Sequence, residues 1–467
     1  MAVDFQHPQY KDAAEKWHTC ADAVSGQWAV HAAGERYLPR LTQQSNDEYK
    51  AYKTRATYFN ATGRTLDGLI GMVFRKPPMI ESAGIDNIIS DIDLQDTSVD
   101  GLAEKILHQV LVKYRVGVLV EYPVASKVGM TAAQAQSLNL RPYASTYESQ
   151  TIINWRVEKV NNVMQPTLIV LTETYDKSDD EYEQDWQPQI RVLKLGEFGY
   201  FQQIYRKEKD KWVQFEDDIV PLMNNAPLKF IPFYIFGAED NSFNLHEPVL
   251  LDLADLNLAH YRVTADWEHG CHFTGLPMLF LAGVQLETDE AGNSKSVHLG
   301  SQTAVVSSNA ESHGEYIEFT GQGLGSLEKN LDRKEKQMAA IGARFIEQQK
   351  AGVEAEGTII MRSAGETSVL AGIAHLISGQ MSKMLSFMSE WAGNKQDVLY
   401  KLNKDYMPAG MTPQLLAEQF KTYLGGGMSY ETFFENLQRG EIMPAGRTVE
   451  DEKQLIADGS VPANGSE

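Results

Sequence analysis

The chain has 467 residues, 43% hydrophobic and 22% charged. That make-up belongs to a globular protein, not a disordered or fibrous one, and is long enough for two or three packed units. A formal net charge of −21 argues against tight nucleic-acid binding through phosphate neutralisation. Such a surface either aids solubility or repels a polyanion passing close by, and composition does not choose between the two.

No apolar run approaches the roughly eighteen residues of a membrane span, and "MAVDFQHPQYKDAAEKW" lacks the pattern of a secretory signal. Cys20 and Cys271 are the two cysteines; they provide no disulfide framework and fit a reducing compartment.

Residues 1–80 read as helical. "PQYKDAAEKWHTCADAVSG" starts at a proline and ends at Gly26, and "EYKAYKTRATYFNATGRTLDGLIGMVF" predicts one further helix. Its stripe is Tyr49, Tyr52, Ala56, Phe59, Leu66 and Ile70, with Gly63 filling the remaining position. "RKPPMI" then stops it with two prolines. A third helix is expected at "DGLAEKILHQVLVKYR", leading into the strand-like "VGVLVEYP".

From 150 to about 236 the pattern turns to β. "TIINWRVEKV", "PTLIVLTETY", "QIRVLKL", "YFQQIYR" and "KWVQFED" are short, rich in β-branched and aromatic residues, and separated by polar tips. The tip "ETYDKSDDEYEQD" holds Glu173, Asp176, Asp179, Asp180, Glu181, Glu183 and Asp185. It reads as a solvated hairpin end, with a cation or partner site as the alternative. "RKEKDK" at 206–211 reads as another tip, not a DNA patch.

Residues 247–273 return to helix, entered by "HEPVLLDLADL" with Pro248 near the first turn. Short strands and turns follow to 318, then a long helix from Ser326 to about Lys350. The Gly- and Ala-rich "AGVEAEGTIIMRSAGE" comes next, then a third long helix, "TSVLAGIAHLISGQMSKMLSFMSEWAG". "TPQLLAEQFKTYLGGG" and "SYETFFENLQRGEI" predict two small helices, and "DGSVPANGSE" a disordered tail.

Two stretches imitate reactive sites. "LNLAHYRVTADWEHGCHFTG" gathers His260, Glu268, His269, Cys271 and His272. Structural zinc prefers paired ligands such as C-x2-C with H-x3-H, whereas Val249, Leu253, Leu256, His260, Val263, Trp267 and Cys271 recur as one face of a packed helix. His269 and His272 are three apart, but Cys271 is the sole sulfur nearby, so no metal and no cofactor are expected. Late in a helix, the dipole also works against a Cys271 thiolate.

"TGQGLGSLEKN" imitates a phosphate cradle, yet lacks the Gly-Lys of a P-loop and the third glycine of a dinucleotide fingerprint. A helix cap at Ser326, with Glu328 in the first turn, explains it more simply. With no H-E-x-x-H and no G-x-S-x-G, the chain is not expected to be an enzyme.

The order of these elements resembles the bacteriophage portal protein, and within it a subgroup long catalogued by a domain of unknown function. The stretches that carry the resemblance are "GERYLPRL", "YKTRATYFNATGRTLDGLIGMVFRKPP", "INWRVEKV", "LKFIPFYIFG" and "EPVLLDLADLNLAHYRVTADWEHGCHFTGLPMLFLAG". It covers residues 10 to about 450, and these motifs mark a fold, not a catalytic site.

The resemblance implies an α+β portal fold. Residues 1–246 would be a helical and β wing, with an antiparallel β region at 150–236. Residues 247–275 and 322–350 would be two stem helices, 276–321 a small α/β clip and 351–366 a mobile tunnel loop. Residues 367–410 would be the long core helix, and 411–467 a short helical crown and disordered tail.

It further implies a twelve-subunit ring at one capsid vertex of the virion, assembled in the host bacterial cytoplasm. Double-stranded DNA would pass through it without sequence preference during packaging and ejection. The implied partners are the terminase large subunit, a head-tail adaptor, and the major capsid and scaffolding proteins, with no membrane. Twelve copies would carry roughly −250 charges, a wall along which DNA slides without adhering.

Lys329, Arg333, Lys336, Arg344, Lys350, Glu354, Glu356 and Arg362 are the tunnel-facing candidates. For Lys329, Arg333 and Lys336 the plainer alternative is a solvated face with i,i+4 pairs such as Asp332–Lys336. Glu287, Asp289, Glu290, Asn293 and Lys295 are the adaptor-binding candidates in the clip. The competing readings are a metal-dependent hydrolase, using His269–His272 and the acidic stretch 173–185, and a minor head protein that forms no closed ring.

Overall fold

A computed structural model describes residues 3–82, 84–123, 138–275, 278–283, 309, 311–317, 321–345, 368–404, 406, 413–424, 427–439, 442–443 and 447–459. The chain is a mixed α+β protein. It divides into two units, one of residues 1–17, 66–249 and 344–467, the other of 18–65 and 250–343.

In the larger unit, helix α6 (Val99–Lys113) runs into β2 (Arg115–Glu121), the centre of a three-stranded antiparallel sheet. Its neighbours are β3 (Tyr143–Glu148) and β11 (Phe233–Gly237), with Val118 paired to both Thr146 and Tyr234. β2 is buried along nearly its whole length, which is why its sequence is a continuous apolar run instead of an alternation.

The second sheet is a five-stranded meander of β4 (Ile152–Val160), β5 (Val163–Asp176), β6 (Trp186–Gly196), β7 (Gly199–Glu208) and β8 (Lys211–Gln214). All five predicted strands are there, because a half-buried strand writes its alternation into the sequence. One face buries Ile153, Val170, Ile190 and Val192, with Tyr10 from α1 (Pro8–Ser25) packed against them. Asn161–Asn162 and Lys209–Asp210 make the tight turns, all four at positive φ, the backbone that matches strand twist in a two-residue hairpin. A hairpin turn does fall in "RKEKDK", at Lys209–Asp210, while Arg206–Glu208 and Lys211 are strand residues flanking it.

The acidic stretch needs a correction. The β5–β6 tip begins after Asp176, and Glu173 is an internal strand residue bonded to Arg191 Nε at 2.7 Å and to Tyr147 Oη. Arg191 also reaches Glu121 at 3.1 Å, so a largely buried ion network joins the two sheets.

Helix α9 (Val369–Trp391), capped by the Ser368 side chain, carries the larger unit's core through Leu370, Ile373, Ile377, Met381, Met384 and Met388. One polar edge of this helix receives an extended segment. Ser378, Ser382 and Ser386 accept the backbone N–H groups of Leu402, Tyr400 and Val398 at 3.0, 2.9 and 2.9 Å. The match is metrical: four helical residues rise about 6.0 Å and two strand residues about 6.6 Å. β14 (Leu399–Lys401), so docked, pairs with β1 (Met79–Glu81).

Helices α10 (Pro413–Leu424) and α11 (Tyr430–Arg439) fall where predicted. A third, α12 (Val449–Gly459), was not anticipated. Its signal is the T-x-x-D of Thr448 and Asp451, which cap each other's backbone N–H at 3.1 Å.

Among its described residues the smaller unit is helical apart from one strand pair. Its core joins Val30 of α2 (Gln27–Ala33) and Tyr49 and Tyr52 of α3 (Asn46–Arg55) to Leu258, Tyr261 and Ala265 of α7 (Leu251–Thr274). The single helix expected over 48–74 is two, α3 and α4 (Ala61–Val73). Residues 56–60 leave the helix because Ala56 turns extended and the Asn60 side chain accepts the Gly63 N–H. The continuous stripe therefore fails, and Phe59 is exposed.

Candidate functional site

In the smaller unit, α7, the antiparallel pair β12 (Met278–Ala282) and β13 (His313–Ile317), and α8 (Leu324–Arg344) follow one another. Two contacts fix how the helices lie. Gly270 faces Leu324, where a Cβ would stand 2.6 Å from Leu324 Cδ2. His260 Nε2 lies 3.4 Å from Glu335 Oε1. Moving back along α7 from 270 to 260 thus moves forward along α8 from 324 to 335, and the helices are antiparallel.

The inward face of α7 is not the predicted one. Leu253, Ala254, Asn257, Leu258, His260, Tyr261, Thr264 and Ala265 are buried, while Leu256, Val263, Trp267 and Cys271 are only half-buried. The helix is rotated so that one of its fully buried positions is polar. Asn257 Oδ1 accepts Tyr58 Oη, Thr62 N and Thr62 Oγ1 at 3.0, 3.0 and 2.9 Å, and Asn257 Nδ2 donates to Phe59 O at 2.8 Å. These bonds satisfy the loop before α4 and explain why an asparagine is fully buried there. Sequence reasoning passed over Asn257 because an amide in a helix carries no periodic signal.

The histidine and cysteine stretch becomes three separate contacts. His269 Nδ1 accepts from Arg55 Nη2 at 3.2 Å, and its ring meets Tyr52 and Phe273 edge-on. Burial, then the Arg55 and His272 charges, hold its pKa below the usual imidazole value. His260 sits between Thr264 and Glu335, its pKa lowered by burial against the opposing pull of Glu335. Burial, Glu268 and Glu328 raise the Cys271 thiol, and burial raises Cys20 to about 12. His269 thus spends its Nδ1 lone pair on a cation, and both thiols are kept protonated. Tyr52 Oη, 2.6 Å from Asp266 Oδ1, completes the lower end of α7.

Helix α8 has two faces. Leu324, Leu327, Leu331, Lys334, Met338 and Ile341, spaced alternately by three and four, are buried or half-buried, and every residue between them is exposed. That is a single packing seam. Opposite it, Lys329, Arg333 and Lys336 come together with Asp332, Gln337 and Ala340 along one shallow concavity. Arg344 is exposed further round the helix.

Among the described residues none of these basic side chains forms an ion pair, so the expected Asp332–Lys336 pair is not made. α8 carries five basic and three acidic residues, a local excess of cations in a chain of net −21. The helix also opens at Leu324, two residues before the Ser326 expected to cap it. Gly321 at φ +64 instead offers its carbonyl to Leu324 N at 2.9 Å.

Lys350, Glu354, Glu356 and Arg362, and the clip candidates Glu287, Asp289, Glu290, Asn293 and Lys295, lie outside the described residues.

The family described as Domain of unknown function (DUF4055) matches residues 249–392, from the start of α7 through α9. No curated protein sequence matches the chain. Among solved structures, a chain of "Virion of native gene transfer agent (GTA) particle" is 11% identical, covering 93% of this chain and 99% of its own length at a TM-score of 0.35. A chain of "Neck of empty GTA particle computed with C6 symmetry" is 12% identical, covering 89% and 99% at 0.37. One of "Neck of native GTA particle computed with C12 symmetry" is 11% identical, covering 89% and 98% at 0.34.

Proposed function

We propose that this chain is a portal subunit of a bacteriophage-like particle, a structural conduit for double-stranded DNA without catalysis of its own. In this reading twelve copies close a ring at one vertex of the virion, with α7 and α8 as the stem. The β12–β13 pair belongs to the clip that meets the head-tail adaptor, and the larger unit supplies wing, core helix and crown.

The observation that carries the reading is the two-faced α8. Its 3–4 seam is taken up by packing, and its opposite face turns Lys329, Arg333 and Lys336 outward from an otherwise acidic chain. Scattered cations within a repulsive wall let a polyanion stay centred without being captured. Terminase, capsid and scaffolding proteins would dock on the ring, and ATP hydrolysis would belong to the motor.

Electron microscopy of the purified chain tests the assembly. The expected result is a ring of about 0.6 MDa with an axial hole, and class averages count its subunits. Monomers or dimers under every condition, including phage lysate, overturn the reading. Reversing Lys329, Arg333 and Lys336 together to glutamate is expected to impair DNA packaging or retention while rings still form. Unchanged packaging removes these residues from the tunnel wall.

A further inference from the structure

The larger unit carries two features that this reading leaves unused, at opposite ends of one strand. The first is a groove of about 890 Å³ beside β4, the free edge of the meander. Among the described residues that line it there is no aspartate or glutamate, in a chain with 63 acids. Arg156, His7 and the amides of Gln165 and Asn244 face it instead.

Its floor is Trp155, whose ring meets the His7 ring at 4.1 Å and the Arg115 guanidinium at 4.3 Å. Arg115 is fully buried, and its Nε and Nη2 have no hydrogen-bond partner among the described residues. Burial pulls its pKa down to about 9, which still leaves a cation at neutral pH. Burial and Arg115 hold the His7 pKa below the usual imidazole value, and Arg156 lies 3.9 Å from Glu158 with both side chains more than half exposed, so the cations at this carboxylate-free groove are Arg156 and Arg115.

The second feature is the β5–β6 hairpin. β4 pairs with β5 only as far as Leu171, and β7 with β6 only down to Gln189. Residues 172–176 and 186–188 thus extend past the paired stretches of β4 and β7, with the Arg206 guanidinium covering the Tyr175 ring at 3.9 Å. The tip is organised by its own carboxylates. Asp176 Oδ1 accepts Ser178 N and Asp185 N, each at 2.9 Å, and Asp180 Oδ1 accepts Tyr182 N at 2.7 Å. Asp179, Glu181 and Glu183 are exposed around Tyr182, whose side chain is 87% exposed.

We propose that the acidic β5–β6 tip of one copy seats in the carboxylate-free groove of a second copy, with Tyr182 entering and the tip acids facing Arg156. The inference rests on the ring reading for its context. Charge is complementary, and the tip is preorganised, which lowers the entropic cost of docking. Leu168, the β5 groove residue nearest the tip, and Asp176 are eight residues apart, roughly 26 Å, so a chain cannot fill its own groove. The two surfaces differ and lie at opposite ends of one sheet. Because tip and groove are different surfaces, each copy can give its tip to one neighbour and take a tip from another, a head-to-tail contact that closes a ring or runs on as a filament.

Disulfide trapping of the full chain tests this. A chain carrying Tyr182→Cys and Gln165→Cys, oxidised after assembly, is expected to give a ladder of covalent multimers on a non-reducing gel. Each single variant reports the background from Cys20 and Cys271. Adding Arg156→Glu should lower ladder yield at least about fivefold, and adding Asp180→Arg to that chain should recover part of it.

Rings by microscopy with no ladder above background overturn the inference and leave the ring reading standing. A ladder without rings does the reverse. An intrachain link, or a ladder indifferent to Arg156→Glu, also overturns it.

Discussion

Asn257→Ala probes how far one buried amide organises the smaller unit. The side chain is fully buried and receives three donors on Oδ1. Two of its partners have alternatives: Tyr58 Oη also donates to Ala23 O at 2.9 Å, and Phe59 O also accepts Ala61 N at 2.8 Å. Among the described residues the Thr62 N–H has no acceptor besides Asn257, and Thr62 is itself fully buried.

Truncation therefore orphans one buried backbone donor, at about 1–3 kcal/mol, and weakens the hydroxyl bonds for about 1–2 kcal/mol more. The expected loss is about 2–5 kcal/mol, a large share of the 5–15 kcal/mol that typically holds a domain. Thr62→Val, which keeps the N–H bond and removes one hydroxyl, should cost no more than about 1.5 kcal/mol. Urea denaturation measures both, and hydrogen exchange across 57–64 reports whether the Thr62 amide loses protection. If Asn257→Ala costs less than about 1 kcal/mol, or leaves Thr62 protected, the amide hub does not hold the loop and the reasoning is wrong.

Acidification should destabilise the smaller unit. His260 and His269 have folded pKa values below the ordinary imidazole value, so below about pH 6.5 the unfolded chain takes up protons first. Stability present above that pH is lost as pH falls towards the folded pKa values. Melting temperature between pH 7.5 and 5 should drop less for His269→Gln, which can still accept from Arg55, and equal slopes would refute the assignment. For the helix–strand ladder, Ser382→Ala removes the acceptor of Tyr400 N and should cost about 1–3 kcal/mol, with faster exchange confined to 398–402 and the segment packed on it. Exchange that rises over the whole unit instead would mean the ladder is not a local clasp.

Much of the fold was legible because it repeats. Alternation in "QIRVLKL" and "YFQQIYR", helical spacing in α6 and α9, and the turn pairs Asn161–Asn162 and Lys209–Asp210 all report the backbone's own period. Where the reading failed, the deciding partner was remote in sequence. The break at 56–60 and the rotation of α7 are one event, because Asn257 needs the turn at Tyr58–Thr62 as much as that turn needs Asn257. The Ser378–Ser382–Ser386 spacing was visible as letters, but only the incoming strand gives it a purpose. Among the tunnel candidates, helical spacing alone put Lys329, Arg333 and Lys336 on neighbouring positions of α8.

The sequence by itself determined most of the segments that are helix or strand, the break at 56–60 and α12 excepted, and that the chain as a whole is acidic and α8 rich in basic residues. Those properties are local, set by side-chain period and composition. The tertiary structure alone decided that His269 serves Arg55, that Glu173 leaves its acidic run to neutralise Arg191, and that the groove beside β4 is free of carboxylate among its described lining. Each depends on which desolvated charge or hydrogen-bonding group meets which partner. Those energies are settled by distances through space, to which spacing along the chain is blind.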